Sequence, residues 1–410
     1  MRSFKLVAAL SVFFCLALAA SAAPALLPDS AEAAFAEWAV ANNKQYQTSE
    51  ERALRFELFS QTLDRVRSHN AKYATGESSY FLSLNRFSDL TTREKSVVFG
   101  AKKPTRPIED LSLPPPAPLA SIPDSVDWRT QGKVTPIKDQ GQCGSCWAFS
   151  AVGAMESIQA IANNFTWPQS GDNLGYSEME VVSCTPDCFG CQGGWPRSAY
   201  NFIAGNGGID SEADWPYFGG VDGCDPAHRA LELVATVKGY VNVTAGDEKA
   251  LQQAISQQPV SIAVAANCDS FMSYGGGVLD NSCGDQESEI DHAIIAVGYN
   301  LKPSNGDAPY YIVKNSWGTG WGEKGYVRMA VGTNIDCIAC EAIYPVAAAP
   351  LPPPAPLEKC PDGTTDPKNP ASCPQGSTCC CSHQSLFEKR CESTQCCLSS
   401  QTCKVGKGCQ

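Results

Sequence analysis

The chain has 410 residues, enough for two or three modules with a large buried core. Its formal net charge is −12 and it has no basic run, which argues against nucleic acid or an anionic membrane surface as a partner. Its 21 cysteines would indicate metal sites in a reducing compartment and disulfides in an oxidising one.

The amino-terminal segment decides between these compartments. Arg2 and Lys5 precede an uncharged apolar run, and Ala20-Ser21-Ala22 is a small-residue cleavage site. This pattern predicts a signal peptide over residues 1–22. A membrane anchor is the alternative, but the run is short for a bilayer span. We therefore expect the chain to enter the secretory pathway, where its cysteines meet an oxidising lumen, with the lysosome or vacuole or the extracellular space as its destination.

Residues 23–121 contain a charged helical segment and then a proline-rich linker. Five residues at spacings of four, four, seven and four fall on one stripe of a single helix: Glu51, Arg55, Phe59, Val66 and Asn70. The linker around Pro104 to Pro118 cannot continue a helix and should be extended and exposed. Such an exposed linker is a natural place for proteolytic cutting.

The phrase from Gln140 to Ser150 contains a turn followed by an apolar helical pattern. Cys146 should lie in the first turn of that helix, where the helix dipole stabilises a thiolate. A thiolate nucleophile also needs a base and a group that orients the base, and His292 and Asn315 are the downstream candidates. Cys146 could instead be a buried cysteine, or half of a redox pair with Cys143. Similarly, His292 could be a packed core histidine, and Asn315 a turn residue.

The sequence Cys143-Gly144-Ser145-Cys146-Trp147, with a later His and Asn, resembles the papain and cathepsin proteases. The helical stripe resembles the propeptide helix of cathepsin L-like enzymes, although Thr62 stands where that pattern has Asn and Val66 where it has Ile. The segment Asn85 to Asp89 matches a second propeptide element, with Ser83 in place of the usual Gly. The resemblance implies a cysteine endopeptidase made as a zymogen, with an inhibitory propeptide over 23–121 and a peptidase domain over 122–346. The phrase from Ile122 to Arg129 resembles the start of the family's mature enzymes, which implies an activating cut near residues 120–122.

The fold implied by this resemblance is α+β and two-lobed, with a helical left lobe and a β-barrel-like right lobe. Short apolar or alternating runs in the second half of the peptidase domain favour strands. These runs are Val234–Val243, Val260–Ala265, His292–Tyr299, Tyr310–Lys314 and Gly325–Ala330. Gln140 and the Cys146 N–H would form the oxyanion hole, and Trp317 would cover the hydrogen bond between Asn315 and His292. Gly193-Gly194 could pair with an extended peptide.

The same resemblance implies disulfides and a specificity pocket. The implied bridges are Cys143–Cys191, Cys184–Cys224 and Cys283–Cys337, which leaves over Cys188, Cys268 and Cys340. The pocket for the second residue before the cut would have the walls Trp195, Pro196, Ala263 and Ile290, and it would prefer an apolar residue. Its floor is Glu341 or Ala342, depending on the alignment, and Glu341 would add a preference for Arg. Because no His-x-x-His insertion is present, we expect an endopeptidase rather than an enzyme with a closed cleft.

The remaining segments are a linker over 347–357 and a tail over 358–410 with ten cysteines. The tail resembles a truncated granulin module, and so small a unit needs disulfides, with zinc as the alternative. Asn164 and Asn242 are candidate glycosylation sites. No metal-ligand spacing or phosphate loop is present, so we predict no cofactor.

The expected partners are protein and peptide substrates, the chain's own propeptide and cystatin-type inhibitors, and we expect a monomer without nucleic acid or membrane partners. A thiol oxidoreductase and a secreted binding protein that carries the tail are the rival functions.

Overall fold

The computed structural model describes residues 27–105, 109–168, 170, 174–221, 223–224 and 233–348, and the backbone of four strands within 377–409. The predicted signal peptide, most of the second linker and the side chains of the tail lie outside the described residues. No helix in the described part is long and apolar enough to cross a membrane.

Most of the described helices lie in the predicted propeptide and in the first half of the predicted peptidase domain, and two lie among the strands of its second half. The helices are α1 Ala31–Ala41, α2 Ser49–Ala74, α3 Thr92–Lys95, α4 Cys146–Ala162, α5 Glu178–Cys184, α6 Pro196–Gly205, α7 Glu248–Gln257 and α8 Asp269–Met272. Residues with side-chain oxygens cap many of these helices. Thr48 accepts a hydrogen bond from the N–H of Glu51 at the start of α2, and Ser177 accepts one from Glu180 at the start of α5.

Strands dominate the second half of the peptidase domain. The strands are β1 Tyr80–Leu82, β2 Ser125–Asp127, β3 Val237–Asn242, β4 Val260–Val264, β5 Tyr274–Leu279, β6 His292–Asn300, β7 Tyr310–Lys314, β8 Tyr326–Ala330, β9 Glu341–Ala347, β10 Ser377–Gln384, β11 Cys391–Leu398, β12 Cys403–Lys404 and β13 Gly408–Cys409. Within the described residues, nine strands form one sheet in the order β1-β5-β8-β7-β6-β4-β9-β3, with β2 paired to β6. The predicted runs at Val260, His292, Tyr310 and Gly325 therefore lie in strands, within a few residues of their expected bounds.

Three clusters of buried apolar residues match the division of the chain into helical parts and a sheet. One is formed by the sheet and α7, one surrounds α4, α5 and α6, and a small one lies between α1 and α2 of the propeptide. Helix α4 packs on the sheet through polar as well as apolar contacts. The Oγ of Ser150 is 2.6 Å from the carbonyl of Ile294 in β6 and 2.7 Å from Ser261 Oγ in β4. This contact holds the amino-terminal end of α4 against the start of β6.

The predicted helical stripe faces the rest of the propeptide and the enzyme. Phe59 and Val66 are buried, and Arg55 makes two hydrogen bonds to Glu94 at 2.6 and 2.7 Å. The side chain of Asn70 pairs with both the N–H and the carbonyl of Leu82 in β1. Through β1, which pairs with β5, the propeptide becomes part of the sheet of the peptidase domain.

Candidate active site

Cys146 is the first residue of α4 and its side chain is completely buried. Its sulfur accepts a hydrogen bond from the backbone N–H of Gly100, at 3.3 Å. Gly100 lies in the predicted propeptide, so the predicted nucleophile is covered by a segment that precedes the predicted peptidase domain.

His292 opens β6, and Asn315 directly follows β7, its neighbour in the sheet. Nε2 of His292 lies 2.8 Å from Oδ1 of Asn315. The same Oδ1 also accepts the N–H of Ser316, at 2.8 Å, so Nε2 is the nitrogen that carries a proton. The ring of Trp317 stacks on the imidazole with a centroid distance of 4.6 Å. The structure therefore brings together the three residues that the sequence assigned to this unit.

Nδ1 of His292 is buried and has no hydrogen-bond partner among the described residues. The backbone N–H of Ala293, the residue after His292, points at the Cys146 sulfur and lowers the pKa of the thiol, against the larger effect of burial. Nδ1 is therefore the ring nitrogen that the described residues leave without a hydrogen bond.

Gln140 is buried and makes three side-chain hydrogen bonds. Its Oε1 accepts the hydroxyl of Ser316, at 2.7 Å. This contact turns Nε2 toward Cys143, whose carbonyl it reaches at 2.7 Å, and toward Val98 of the propeptide, at 2.9 Å. The amide that was predicted to bind an oxyanion thus binds a propeptide carbonyl.

Burial sets the protonation of the covered site. Desolvation raises the pKa of the Cys146 thiol to about 11 and lowers the pKa of His292 to about 4. Near neutral pH both groups are therefore uncharged in the zymogen. The sequence led us to expect a thiolate favoured by the dipole of α4. In this state the cost of desolvation outweighs the dipole, because the propeptide excludes water from both groups.

The propeptide runs through the cleft as an extended chain. The N–H of Gly194 donates to the carbonyl of Gly100, and the N–H of Lys102 donates to the carbonyl of Gly194, both at 2.9 Å. Gly193 has a φ of 123°, a conformation that favours glycine, and a Cβ there would be 2.9 Å from the Gly100 carbonyl. The two glycines therefore allow the backbone pairing that the sequence predicted for an extended peptide.

The predicted pocket walls form one group beside this chain. Trp195, Ala263 and Ile290 belong to the same apolar cluster, which also includes the propeptide residue Ala101. Pro196 is buried at the start of α6. Strand β9 pairs with β4 so that Glu341 lies opposite Ala263 and Ala342 lies opposite Ile262. Ala342 is buried in the core of the sheet, whereas Glu341 is only partly buried.

The side chain of Glu341 has a cationic partner from the propeptide. Nζ of Lys103 is 2.5 Å from Oε1 of Glu341, pairs with Glu287 as well, and lies 5.5 Å from the centre of the Trp195 ring. Burial lowers the pKa of Lys103, but the two carboxylates raise it, and the net shift is upward. Arg197 is a more distant neighbour of Glu341, at 4.0 Å.

Two of the three implied disulfides are present, and the third prediction is wrong. Bridges join Cys143 to Cys191 and Cys184 to Cys224. Cys283 does not pair with Cys337: it pairs with Cys268, and Cys337 pairs with Cys340. The turn at Asp336 and Cys337 brings Cys337 to Cys340, three residues further on, while Cys283 donates its N–H to the Asp336 side chain and pairs with Cys268. In the described part of the chain, Cys146 and Cys188 are free.

Comparisons with known proteins agree with this geometry. The profile of papain family cysteine proteases matches residues 122–346. The profile of the cathepsin propeptide inhibitor domain matches residues 35–94. The chain belongs to the papain family of cysteine proteases. The two-lobed α+β fold expected from the sequence is the fold of this family, and the chain is a zymogen with an inhibitory propeptide.

Individual relatives cover most of the chain. It is 39% identical to the probable cysteine protease RD21B of Arabidopsis thaliana, over 91% of this chain and 79% of that protein. It is 41% identical to the cysteine proteinase RD21A of the same plant, over 90% and 78%. Among solved structures, digestive procathepsin L 3 from Tenebrio molitor superposes with a TM-score of 0.68 at 32% identity, covering 78% of this chain and all of that one.

The sequence did not reveal which propeptide residues contact the site. Val98, Gly100 and Lys103 carry no motif, and Glu287 lies in an acidic loop that resembles any solvated turn. One signal was available for Lys103, because Lys102 and Lys103 form a dibasic pair in a chain whose net charge is −12.

Proposed function

We propose that Cys146, His292, Asn315 and Gln140 are the catalytic residues of a papain-family endopeptidase. Once the propeptide leaves, water returns to the cleft and the Cys146 proton passes to Nδ1 of His292. The thiolate attacks the substrate carbonyl carbon, while the side chain of Gln140 and the N–H of Cys146 stabilise the oxyanion. His292 then protonates the leaving amine, and water hydrolyses the acyl-enzyme.

The observation that supports these roles most strongly is the orientation of both side-chain amides. Ser316 donates its N–H to Asn315 and its hydroxyl to Gln140. One residue therefore fixes the oxygen that accepts from His292 and turns the Gln140 N–H groups into the cleft. Acyl transfer requires catalytic groups that are held in the correct geometry before the substrate reacts.

An epoxide-type inhibitor of thiol proteases tests the assignment. Activated enzyme should lose peptidase activity as one equivalent is bound, and the adduct should map to Cys146. Labelling of Cys188 with retained activity would contradict it. A variant with Cys188→Ser is the matched control, and it should titrate like the wild type.

We further propose that the specificity pocket takes two kinds of residue. Its walls, Trp195, Pro196, Ala263 and Ile290, suit Leu, Val or Phe. Glu341 at its far end suits Arg or Lys, as the contact with Lys103 indicates. Losing the partner of a desolvated charge typically costs ~2–5 kcal/mol, so the effect should be measurable.

Dipeptide substrates ending in Phe-Arg and Arg-Arg test the pocket. Glu341→Ala should reduce Arg-Arg cleavage selectively and leave Phe-Arg cleavage nearly unchanged. Asp280→Ala, which removes an exposed carboxylate directly after β5, is the control. An unchanged ratio in Glu341→Ala would place this carboxylate outside the pocket.

We also propose that activation cuts the chain near residues 120–122, since residues 114–121 are exposed and without regular structure. The exposed sequons at Asn164 and Asn242 are proposed glycosylation sites. The lysosome or vacuole and the extracellular space remain the proposed destinations, and cystatin-type inhibitors and a monomeric state are likewise proposals.

A further inference from the structure

Strand β3 is the last strand in the order of the large sheet, and its outer edge is covered by the propeptide. The N–H of Leu113 donates to the carbonyl of Tyr240 at 2.7 Å, and the N–H of Tyr240 donates to the carbonyl of Leu111 at 3.4 Å. Ser112 lies opposite Tyr240 in a parallel bridge. The edge therefore binds an extended chain through backbone groups of the peptidase domain.

Gly239 makes this close approach possible. The pairing of β3 with β9 is irregular between Val237 and Gly239, and Gly239 has a φ of 145°. A Cβ at this position would lie 2.3 Å from the carbonyl oxygen of Leu111. A bulge with a glycine inside a strand often marks a place where another backbone approaches.

Polar side chains of the peptidase domain complete the edge. The hydroxyl of Tyr240 donates to Asp110 at 3.0 Å, and the amide of Asn201 donates to the carbonyl of Glu109 at 2.5 Å. The guanidinium of Arg197 lies 5.7 Å from the centre of the Tyr240 ring. It is close enough to Asp110 to help lower the pKa of that carboxyl, after the hydrogen bonds from Ser112 and Tyr240.

The contacts at the edge of β3 extend the path that the propeptide follows through the cleft. Outward from the Cys146 sulfur, the propeptide meets Gly194 and then the proposed specificity pocket at Glu341, and finally the edge of β3. The edge therefore lies on the same side of the nucleophile as the pocket for residues before the cut. Ten positions separate Gly100, at the thiol, from Asp110. An edge strand accepts a chain in either direction, so a substrate need not run the way the propeptide does.

We propose that in the mature enzyme the edge formed by Gly239, Tyr240, Asn201 and Arg197 is an exosite for protein substrates. Its ligand is an extended, acidic segment that precedes the scissile bond by about the span of Gly100 to Asp110. Backbone pairing with β3 supplies affinity, and Tyr240 with Arg197 selects a carboxylate side chain. Peptides that add a strand to an exposed sheet edge are recognised by the same division between backbone and side-chain contacts. This inference rests on the proposed endopeptidase function and its pocket.

Matched peptides test the exosite. Two long peptides share the residues around the cut and differ only in an upstream extension that carries Glu-Asp or Gln-Asn, and a short peptide lacks the extension. The acidic long peptide should show kcat/KM about five- to tenfold higher than the neutral one, with a smaller difference at high salt. Tyr240→Phe and Asn201→Ala should each reduce this ratio and leave the short peptide unchanged.

Tyr310→Phe, in β7, is the control and should keep the full ratio. Equal kcat/KM for the two long peptides in the wild type would overturn the exosite. If the wild type does not cleave the short peptide at all, that result instead contradicts the proposed endopeptidase function. The two failures are therefore distinguishable.

A binding measurement avoids catalysis altogether. Mature enzyme blocked at Cys146 by an epoxide inhibitor is titrated with a fluorescent peptide of residues 105–113. Binding should weaken when Asp110 of the peptide is replaced by Asn, and also in the Tyr240→Phe enzyme. If this peptide binds but the long substrates show no preference, the edge serves the propeptide alone and the proposal is wrong.

Discussion

The carbonyl oxygen of Val98 lies 2.9 Å from Nε2 of Gln140, the amide that we assign to the oxyanion hole. The propeptide therefore satisfies the donor that a reacting substrate would use. Together with the Gly100 contact to Cys146, it blocks the nucleophile and the oxyanion site at once. The donors are already in place in the zymogen, so activation requires removal of a segment rather than construction of a site.

Replacing Gln140 tests the value of this donor. Gln140→Ala should lower kcat by ~10²–10³ with little change in KM, because the lost hydrogen bond forms mainly in the transition state. The measurement is steady-state hydrolysis of a Phe-Arg substrate by the activated enzyme. Gln253→Ala, in α7 and away from the cleft, is the control. A rise in KM at constant kcat would show that Gln140 only binds the substrate.

The contact between His292 and Asn315 predicts that the catalytic groups act as one unit. Cys146→Ser and His292→Ala should each abolish turnover, and the double variant should be hardly worse than either. Asn315→Ala should retain part of the activity, with a loss of up to ~10²–10⁴ in kcat, the typical contribution of a positioned base. Substantial activity in Cys146→Ala would refute the assignment, provided that the zymogen still folds as judged by circular dichroism.

The reactivity of the thiol should differ between zymogen and mature enzyme. With pKa values of about 11 for Cys146 and about 4 for His292, the covered pair is neutral between these limits. Iodoacetamide should therefore alkylate Cys146 of the zymogen slowly at neutral pH, and faster only as the pH approaches 11. The mature enzyme should react rapidly from mildly acidic pH upward, because rehydration restores the ion pair. Both proteins should carry Cys188→Ser so that mass spectrometry follows one thiol, and equal rates at pH 7 would contradict this account.

The sequence led to the proposed catalytic residues because each lies in a short phrase whose local structure is self-contained. Cys146 starts a helix after a glycine turn, and His292 starts an apolar strand. Strand β5 was missed because Gly275, Gly276 and Gly277 resemble a turn. In the fold they let the ring of Phe81 approach, where a Cβ on Gly276 would be 2.8 Å from it. No local pattern reveals such a partner, since it lies in the propeptide.

One strand register and some disulfide partners, which depend on tertiary contacts, were the second kind of feature that the sequence did not predict. The register of Glu341 was open because the phrase after Cys337 is one residue short, and a shift by one residue turns a side chain to the other face of a strand. The left-handed conformations of Asp336 and Cys337 shape this turn, and the pairing with Ala263 fixes the register. The bridge between Cys283 and Cys337 was carried over from the family resemblance, whereas in this structure Cys337 pairs with Cys340 at the same turn.

Arg86 links the propeptide to the loop that carries Gln140. Its NH1 is 2.7 and 2.5 Å from the two carboxylate oxygens of Asp139, and its guanidinium lies over the ring of Phe87. A propeptide of residues 24–121 should inhibit the mature enzyme in trans, and Arg86→Ala should raise its inhibition constant about tenfold. Arg93→Ala, an exposed arginine of α3, should leave the constant unchanged. Equal inhibition by both variants would show that the Arg86 contact is not needed for affinity.

Asp336 predicts how the stability of the protein depends on pH. Its side chain is buried, one oxygen accepts the N–H of Cys283 at 2.5 Å, and the other has no partner among the described residues. Desolvation raises its pKa to about 7. The folded state therefore keeps a proton that the unfolded state releases near pH 4. The resulting stabilisation is fully present below pH 4 and is lost as the pH rises through about 7.

Thermal unfolding of full-length Cys146→Ser protein, which cannot process itself, measures this effect. The melting temperature should fall between pH 5 and pH 8, with a contribution from Asp336 of up to ~4 kcal/mol. Asp336→Asn keeps the acceptor for Cys283 but cannot ionise, so its melting temperature should depend less on pH and exceed that of the parent at pH 8. Asp280→Asn, at an exposed position, should follow the parent at every pH. If the melting temperature of Asp336→Asn changes with pH as much as that of the parent, the buried carboxyl is not the group that makes this fold more stable in acid.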